Sequence, residues 1–420
     1  MNTAPTEPCG QELTCLQAAL RGWFTVVHTG GEQSERVRVV RFSVLDERQK
    51  TLSRGELISP LAEDAAGGEF EPRFARLKLT PLRGYETECA KALKLLSMAG
   101  LNLPGVSAKT DVQMTAGERA DVVAARVLRR LLAIQDASLP GVLAGAGGDF
   151  LHDYRVALRR SRSVLRQFGG VFVPEDRTVL RGEFRWLQAQ TGEARDLAVY
   201  LDQFEELRDL LPAELRERLQ PLRELLADRL QLASARMRQA LSSERARALH
   251  DQWDELLQVL MLEHESERPD AGLRVEQVAG RRIHTVHRKM VRMGQEITAN
   301  SAAEDYHSLR KRGKELRYLL ELFGRRLFDP EIVSQLVRVL RELQDVLGRH
   351  QDLEVQAAVL RTLGGELAER PGGVQALIAV GILSARLDEQ SLAARSQFAE
   401  VFTAFSSGSQ TKLLERAVSQ

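Results

Sequence analysis

Two blocks of this sequence each occur twice in the same order, which restricts the chain to folds assembled from two similar parts. His152-Asp153-Tyr154-Arg155, with Arg159, Arg162 and Phe168, recurs as His307-Ser308-Leu309-Arg310, with Lys314, Arg317 and Phe323, at one constant offset. Further on, Leu187-Gln188 with Gly192, Asp196 and Leu197 recurs as Leu343-Gln344 with Gly348, Asp352 and Leu353 after a single-residue slip, assigned to a loop or helix end. Arg126 and Arg129 align at the first offset with Arg281 and His284, which extends the repeat to a preceding basic helix.

The repeat lies in a helical part of the chain. From Glu118 onward, runs rich in Leu, Ala, Arg and Glu are broken at SLPGVLAGAGGD, GGVFVPED, ERPDAG, RLFDPE and ERPGG, each combining Gly or Pro with a capping residue. The spacing allows about four helices on each side of Pro269, hence two bundle-like halves. Earlier, β-branched alternation in Arg36 to Val44 and in Arg73 to Thr80 predicts strands, and Tyr85 to Ala99 spaces Cys89, Leu93 and Leu96 as on a helix. The expected organisation is a segment 1–21, a small α+β unit 22–105, a linker 106–115, helical halves 116–268 and 269–407, and a tail 408–420.

Each residue of an α-helix turns about 100°, so His152, Arg155, Arg159, Arg162 and Arg166 fall within an arc of about 80°. Tyr154, Leu158, Ser161, Leu165 and Phe168 take another side and suit a core. The second copy aligns His307, Arg310, Lys314 and Arg317, with Leu309, Leu316, Leu320 and Phe323 on its apolar side and Glu321 where Arg166 stood. A third run, Arg281, His284, Arg288 and Arg292, also shares a face. Aligned cations repel by about 0.2–0.5 kcal/mol per pair, so they need an offsetting partner. One candidate is a set of neighbouring carboxylates, such as Glu193, Asp196, Glu342 or Asp352, since charge rows are commonly solvated or ion-paired faces. The other is a row of phosphates, which guanidinium forks grip in bidentate fashion and Lys meets as a point charge. Duplication of the stripe favours phosphate, and the two histidines become two-headed donors when protonated.

Composition narrows the function classes. With 59 Lys and Arg against 58 Asp and Glu, an anion site must come from local segregation of charge. Cys9, Cys15 and Cys89 are too few and too irregular for a disulfide framework or a four-ligand zinc site. The N-terminus lacks a signal pattern and no run approaches a membrane span, so a cytoplasmic location is expected. No Walker-type loop, dinucleotide fingerprint or nucleophile elbow occurs, and no cofactor is expected.

LHDYRVALRRSRSVLRQF and YHSLRKRGKELRYLLELF resemble the two signature helices of the CHAD (conserved histidine α-helical domain) family, and GEARDLAVYL and LGRHQDLEVQ resemble the helices that follow. The resemblance covers about residues 116 to 407. It implies a mainly α fold of two pseudo-symmetric four-helix bundles, here preceded by the small α+β unit, and a basic central surface that binds inorganic polyphosphate. The implied contacts are His152, Arg155, Arg159, Arg162, Arg166, His307, Arg310, Lys314 and Arg317, to which the flanking basic helices add Arg126, Arg281 and Arg288. Residues 73 to 115 are faintly similar to the closing part of a CYTH domain, the triphosphate tunnel fold. That family's Glu-x-Glu-x-Lys strand has no counterpart here, so the unit is expected to be a degenerate, non-catalytic remnant that either packs on the helical part or binds an unknown protein partner.

The resulting expectation is non-catalytic capture of polyphosphate, either at polyphosphate granules or in the regulation of an enzyme, with affinity that falls with salt and rises with chain length. A nucleic-acid-binding protein ranks second, because no aromatic residues interleave with the stripes. A metal-dependent phosphohydrolase rests only on His152-Asp153 and His250-Asp251, and the repeat replaces Asp153 with Ser308. A protein scaffold would use the leucine-rich stretch Phe204 to Leu232.

Overall fold

The computed structural model describes Gln17, Leu20 and residues 24–33, 37–46, 49–60, 76–82, 85, 88–89, 91–92, 112–260, 268–298 and 300–418. The chain divides into two compact units, Met1–Thr110 with Leu131–Leu158, and Asp111–Arg130 with Arg159–Gln420.

The first unit holds an antiparallel sheet in the order β1 (Thr25–Gln33), β2 (Val37–Leu45), β3 (Thr51–Pro60) and β4 (Arg76–Pro81). The expected strands are β2 and β4. Gly30, Gly31 and Gly55 interrupt the apolar alternation of β1 and β3 and hid those two strands. Val40, Phe42 and Val44 are buried on one face of β2, while Arg41 points outward and pairs with Glu56 at 3.2 Å. Phe42 lies opposite Gly55, where a Cβ would come within 2.2 Å of its ring, so only glycine fits. Of the helix expected over Tyr85 to Ala99, the described Glu88, Cys89, Lys91 and Ala92 are helical. Residues 61–75 and 93–111, which hold most of the CYTH-like stretch, lie outside the described residues.

Two helices contribute to both units: α1 (Ala120–Ala144) and α2 (Gly148–Gln167). The expected break at SLPGVLAGAGGD falls at its glycines: helix α1 runs through Ser138-Leu139-Pro140 to Ala144, and the chain turns at Gly145 and Gly147, whose φ angles are 70° and 130°. Glycine reaches that left-handed region without the steric cost a Cβ brings.

The second unit continues with α3 (Pro174–Gln190), α4 (Gly192–Asp202), α5 (Gln220–Leu241), α6 (Glu244–Val259), α7 (Val275–Gln295), α8 (Ala303–Leu319), α9 (Pro330–Thr362), α10 (Gly373–Ser396), α11 (Phe398–Phe405) and α12 (Gly408–Val418). Proline at the first position of both α3 and α9 suits helix starts, and Asp329 caps α9 by accepting from the backbone N–H groups of Glu331 and Ile332. In the second copy α7 packs on α8, α8 on α9, and α9 on α10. Among the described residues no helix is long and apolar enough to cross a membrane.

The two copies meet through their own equivalent residues. Arg119 and Arg274, which align at the repeat offset, form an antiparallel bridge, and Ala120 N–H donates to Leu273 O at 2.8 Å just as Val275 N–H donates to Glu118 O at 2.8 Å. Phe168 and Phe323 stack with ring centroids 4.3 Å apart. Tyr200 donates to the carbonyl of its counterpart Gln356. Contacts of i with i′, and of i with j′ matched by j with i′, are the signature of an isologous two-fold interface, here within one chain. They place the starts of α1 and α7 in the duplication. The single-residue slip falls between Phe168 and Pro174, where the first copy has a tight 3₁₀ turn (Gly169–Val171) and the second a wide π turn (Leu320–Gly324).

Candidate anion-binding site

The apolar sides expected on α2 and α8 are buried: Tyr154, Leu158, Ser161, Leu165 and Phe168 on one, Leu309, Leu316, Leu320 and Phe323 on the other. This burial fixes which way the basic edges face. In the second unit Arg159, Arg162, Ser163 and Arg166 of α2, Arg181, Arg185 and Gln188 of α3, and Lys311, Lys314, Glu315 and Tyr318 around α8 line a cavity of about 400 Å³. Seven of these side chains are cationic and one is a carboxylate. Among the described residues no carboxylate is within ion-pairing distance of Arg159, Arg162, Arg181, Arg185 or Lys314, and Arg159 Nε is buried without a hydrogen-bond partner. Arg162 donates to the Gln188 side-chain oxygen.

Burial, and after it the crowding of like charge, lowers the pKa of several of these groups. Burial, followed by the charges of Arg185, Arg166 and Arg181, holds the Arg162 guanidinium below its ordinary pKa. Burial also lowers Arg166, against the pull of Glu315. Lys314 is pushed down to about 8, first by burial and then by Arg310 and Arg159. A desolvated cationic cluster of this kind is unfavourable when empty and is relieved by an anion that supplies charge-assisted hydrogen bonds.

Carboxylates neutralise much of the remaining stripe. Arg166 pairs with Glu315, and Arg160 pairs with Glu321 at 3.1 Å. Arg160 is the counterpart of Glu315 and Arg166 of Glu321, so the two ion pairs are reciprocal across the pseudo-two-fold axis. Glu321 also takes Arg341 at 3.0 Å and Arg317 at 3.9 Å. Arg310 pairs with Asp352 at 3.1 Å, and His307 Nδ1 is 2.6 Å from the Gln351 side-chain oxygen. Arg126 pairs with Glu118 at 2.7 Å and Arg281 with Asp270 at 2.5 Å, while Arg288 is exposed on α7. Glu193 meets Arg236 instead of the stripe.

Of the residues expected from sequence, the cavity therefore gathers Arg159, Arg162, Arg166 and Lys314. His307, Arg310, Arg317, Arg126, Arg281 and Arg288 do not line it. His152 and Arg155 stand on the first two turns of α2, in the first unit, and are not among its lining residues. Sequence reasoning missed Arg181 and Arg185. Their signal was present: Arg177, Arg181, Arg185 and Gln188 recur at steps of four, four and three along α3, the helix that follows the first signature. His250 lies beside Asp251 at 3.3 Å on the exposed face of α6, and among the described residues no group of three or more His, Cys, Asp or Glu side chains could hold a metal ion.

The chain resembles two solved structures over most of the helical region. One is the CHAD domain from the plant Ricinus communis, with a TM-score of 0.59 and 24% identity over 71% of this chain and 95% of that one. The other is PptA from Streptomyces chartreusis, with a TM-score of 0.52 and 17% identity over 68% of this chain and 100% of that one. At such identity they establish a shared fold. No curated protein matches the sequence. The CHAD domain family model matches residues 125–361, more than half of the chain and spanning both signature helices, and the chain belongs to the CHAD family.

Proposed function

We propose that the protein binds inorganic polyphosphate without transforming it, by electrostatic capture in the cavity between α2, α3 and α8. The observation that carries this is the set of five cations in one cavity without a carboxylate partner among the described residues. Membership of the CHAD family, which is linked to polyphosphate, agrees with it. Arg159, Arg162, Arg181 and Arg185 offer forked donors to phosphate oxygens, and Lys314 adds a point charge. Tyr318 is the single aromatic lining residue, and stacking of successive bases needs more than one ring, which favours phosphate chains over nucleic acid.

Titration of the full chain with polyphosphate at two salt concentrations, beside a single-stranded oligonucleotide of similar charge, tests the proposal. Salt-sensitive binding that prefers polyphosphate is expected, because several phosphate contacts release counterions. Equal binding of both polymers would reduce the site to a general anion surface, and no binding would remove the function. Unchanged polyphosphate chain length after prolonged incubation, with and without divalent cations, tests the non-catalytic part.

A further inference from the structure

We infer that the cavity recognises a short oligophosphate unit of a few phosphoryl groups, so that a long chain is held through one compact segment and not along both stripes. The inference rests on the polyphosphate reading above and names the ligand length that the site takes.

Its first support is size. A volume of about 400 Å³ lies near the lower end of the range of about 300–1,000 Å³ usual for small-molecule sites. Its second support is the charge found on leaving the cavity along α8. The cavity already contains the carboxylate of Glu315, which is 5% exposed and held by Arg166, Arg312 and Gln167, and past Tyr318 a phosphate chain meets that of Glu321, already shared among Arg160, Arg317 and Arg341. Toward the start of α8, Arg310 is covered by Asp352 and His307 by Gln351. His152 and Arg155 are engaged with other groups of the protein. The stripe that looks continuous in sequence is thus interrupted by internal partners, and extending a phosphate chain past the cavity would require displacing them, among them the ion pairs of Arg310 and Arg317 and the Gln351 contact of His307. The carboxylates act against a long footprint as much as the arginines act for a short one.

Specificity for a compact anion also accounts for Arg181 and Arg185. Placed one turn apart on α3, they bring cations to the cavity from a second helix and surround a ligand, where a single stripe only lines it. Enclosure from α2, α3 and α8 suits a folded or terminal triphosphate segment better than an extended rod.

Calorimetric titration of the full chain with orthophosphate, tripolyphosphate and long-chain polyphosphate at one salt concentration tests this. Tripolyphosphate is expected to bind one-to-one, within about tenfold of the long chain once affinity is expressed per tripolyphosphate-length segment, and to displace the long chain completely. Arg181→Ala with Arg185→Ala is expected to weaken both ligands by the same factor. Affinity per segment that keeps rising a hundredfold or more beyond tripolyphosphate, with incomplete displacement, would overturn the short footprint and leave polyphosphate binding standing. Failure of every phosphate to bind would overturn both.

Discussion

Where α2 carries Arg160 the second copy carries Glu315, and where α2 carries Arg166 it carries Glu321. Both glutamates sit at the pseudo-two-fold interface, and each pairs with an arginine of the first copy. Two helices of one repeat thus divide the work: α2 presents guanidinium groups without carboxylate partners to the cavity, whereas α8 brings Lys314 there with the Glu304-paired Lys311 and spends its other charges on internal partners. Duplication alone would have left a symmetric, self-repelling basic surface. The two changes of sign supply counter-charge between the copies, and they leave the unpaired cations concentrated on the first copy.

Reversing one charge in the first copy should have the largest effect. Arg162→Glu places a carboxylate among Arg159, Arg181 and Arg185 and is expected to lower polyphosphate affinity more than about a hundredfold, since charged hydrogen bonds contribute about 1.5–3 kcal/mol each. Direct titration reads it, and a loss under tenfold would put the ligand elsewhere. Next in size is the effect on stability of breaking the shared core. Phe323→Ala removes the ring stacked on Phe168 and should cost about 3–5 kcal/mol in denaturant unfolding. A cost below about 1 kcal/mol would mean that the copies do not depend on that contact.

Proton linkage sharpens the contrast further. Burial and the neighbouring cations push Lys314 down to about 8 from an ordinary value of 10.5. An anion favours its charged form, so binding takes up a proton above pH ~8, and affinity should hold level to about pH 7 and then fall, by about tenfold per unit of restored pKa. The sign for folding is opposite: between about 8 and 10.5 the unfolded chain binds more protons at this group, so its contribution to stability rises with pH. Lys314→Arg should flatten the affinity profile. Persistence of the fall in that variant would assign it to another group. The smallest effect is expected at Glu315→Gln, which keeps the shape of the side chain but removes the one carboxylate lining the cavity. Affinity should rise several-fold, while loss of the buried pair with Arg166 lowers the thermal midpoint by a few degrees.

The repeat, the helical halves and the apolar sides of α2 and α8 were legible in the sequence because helix periodicity and duplication are local, additive signals. Glu321 was visible as a departure from the basic row. What it does was not, since its partners Arg160 and Arg341 come from two other helices, α2 and α9, and are brought together only by packing. Pairing of Arg310 with Asp352 was within reach, as Asp352 stood among the candidate partners, whereas Glu315 went unnoticed because it lies off the stripe. Arg181 and Arg185 carried a clear helical spacing on α3, but nothing local says that this face turns toward α2. Strands β1 and β3 were obscured by their glycines, of which Gly55 is required by the packing of Phe42 over it. The small α+β unit keeps its tunnel-like resemblance as an expectation, because most of the residues that carry it lie outside the described ones.

The central claim is that the first copy's unpaired cations, and not the duplicated stripe as a whole, hold the phosphate chain. The most direct measurement is polyphosphate titration at one salt concentration of two matched double variants, Arg162→Ala with Arg185→Ala and Arg310→Ala with Arg317→Ala, beside the unaltered protein. The first is expected to lose affinity by about a hundredfold and the second by no more than about threefold, because its arginines are already partnered. Equal losses in the two would contradict the account and return the binding surface to both copies.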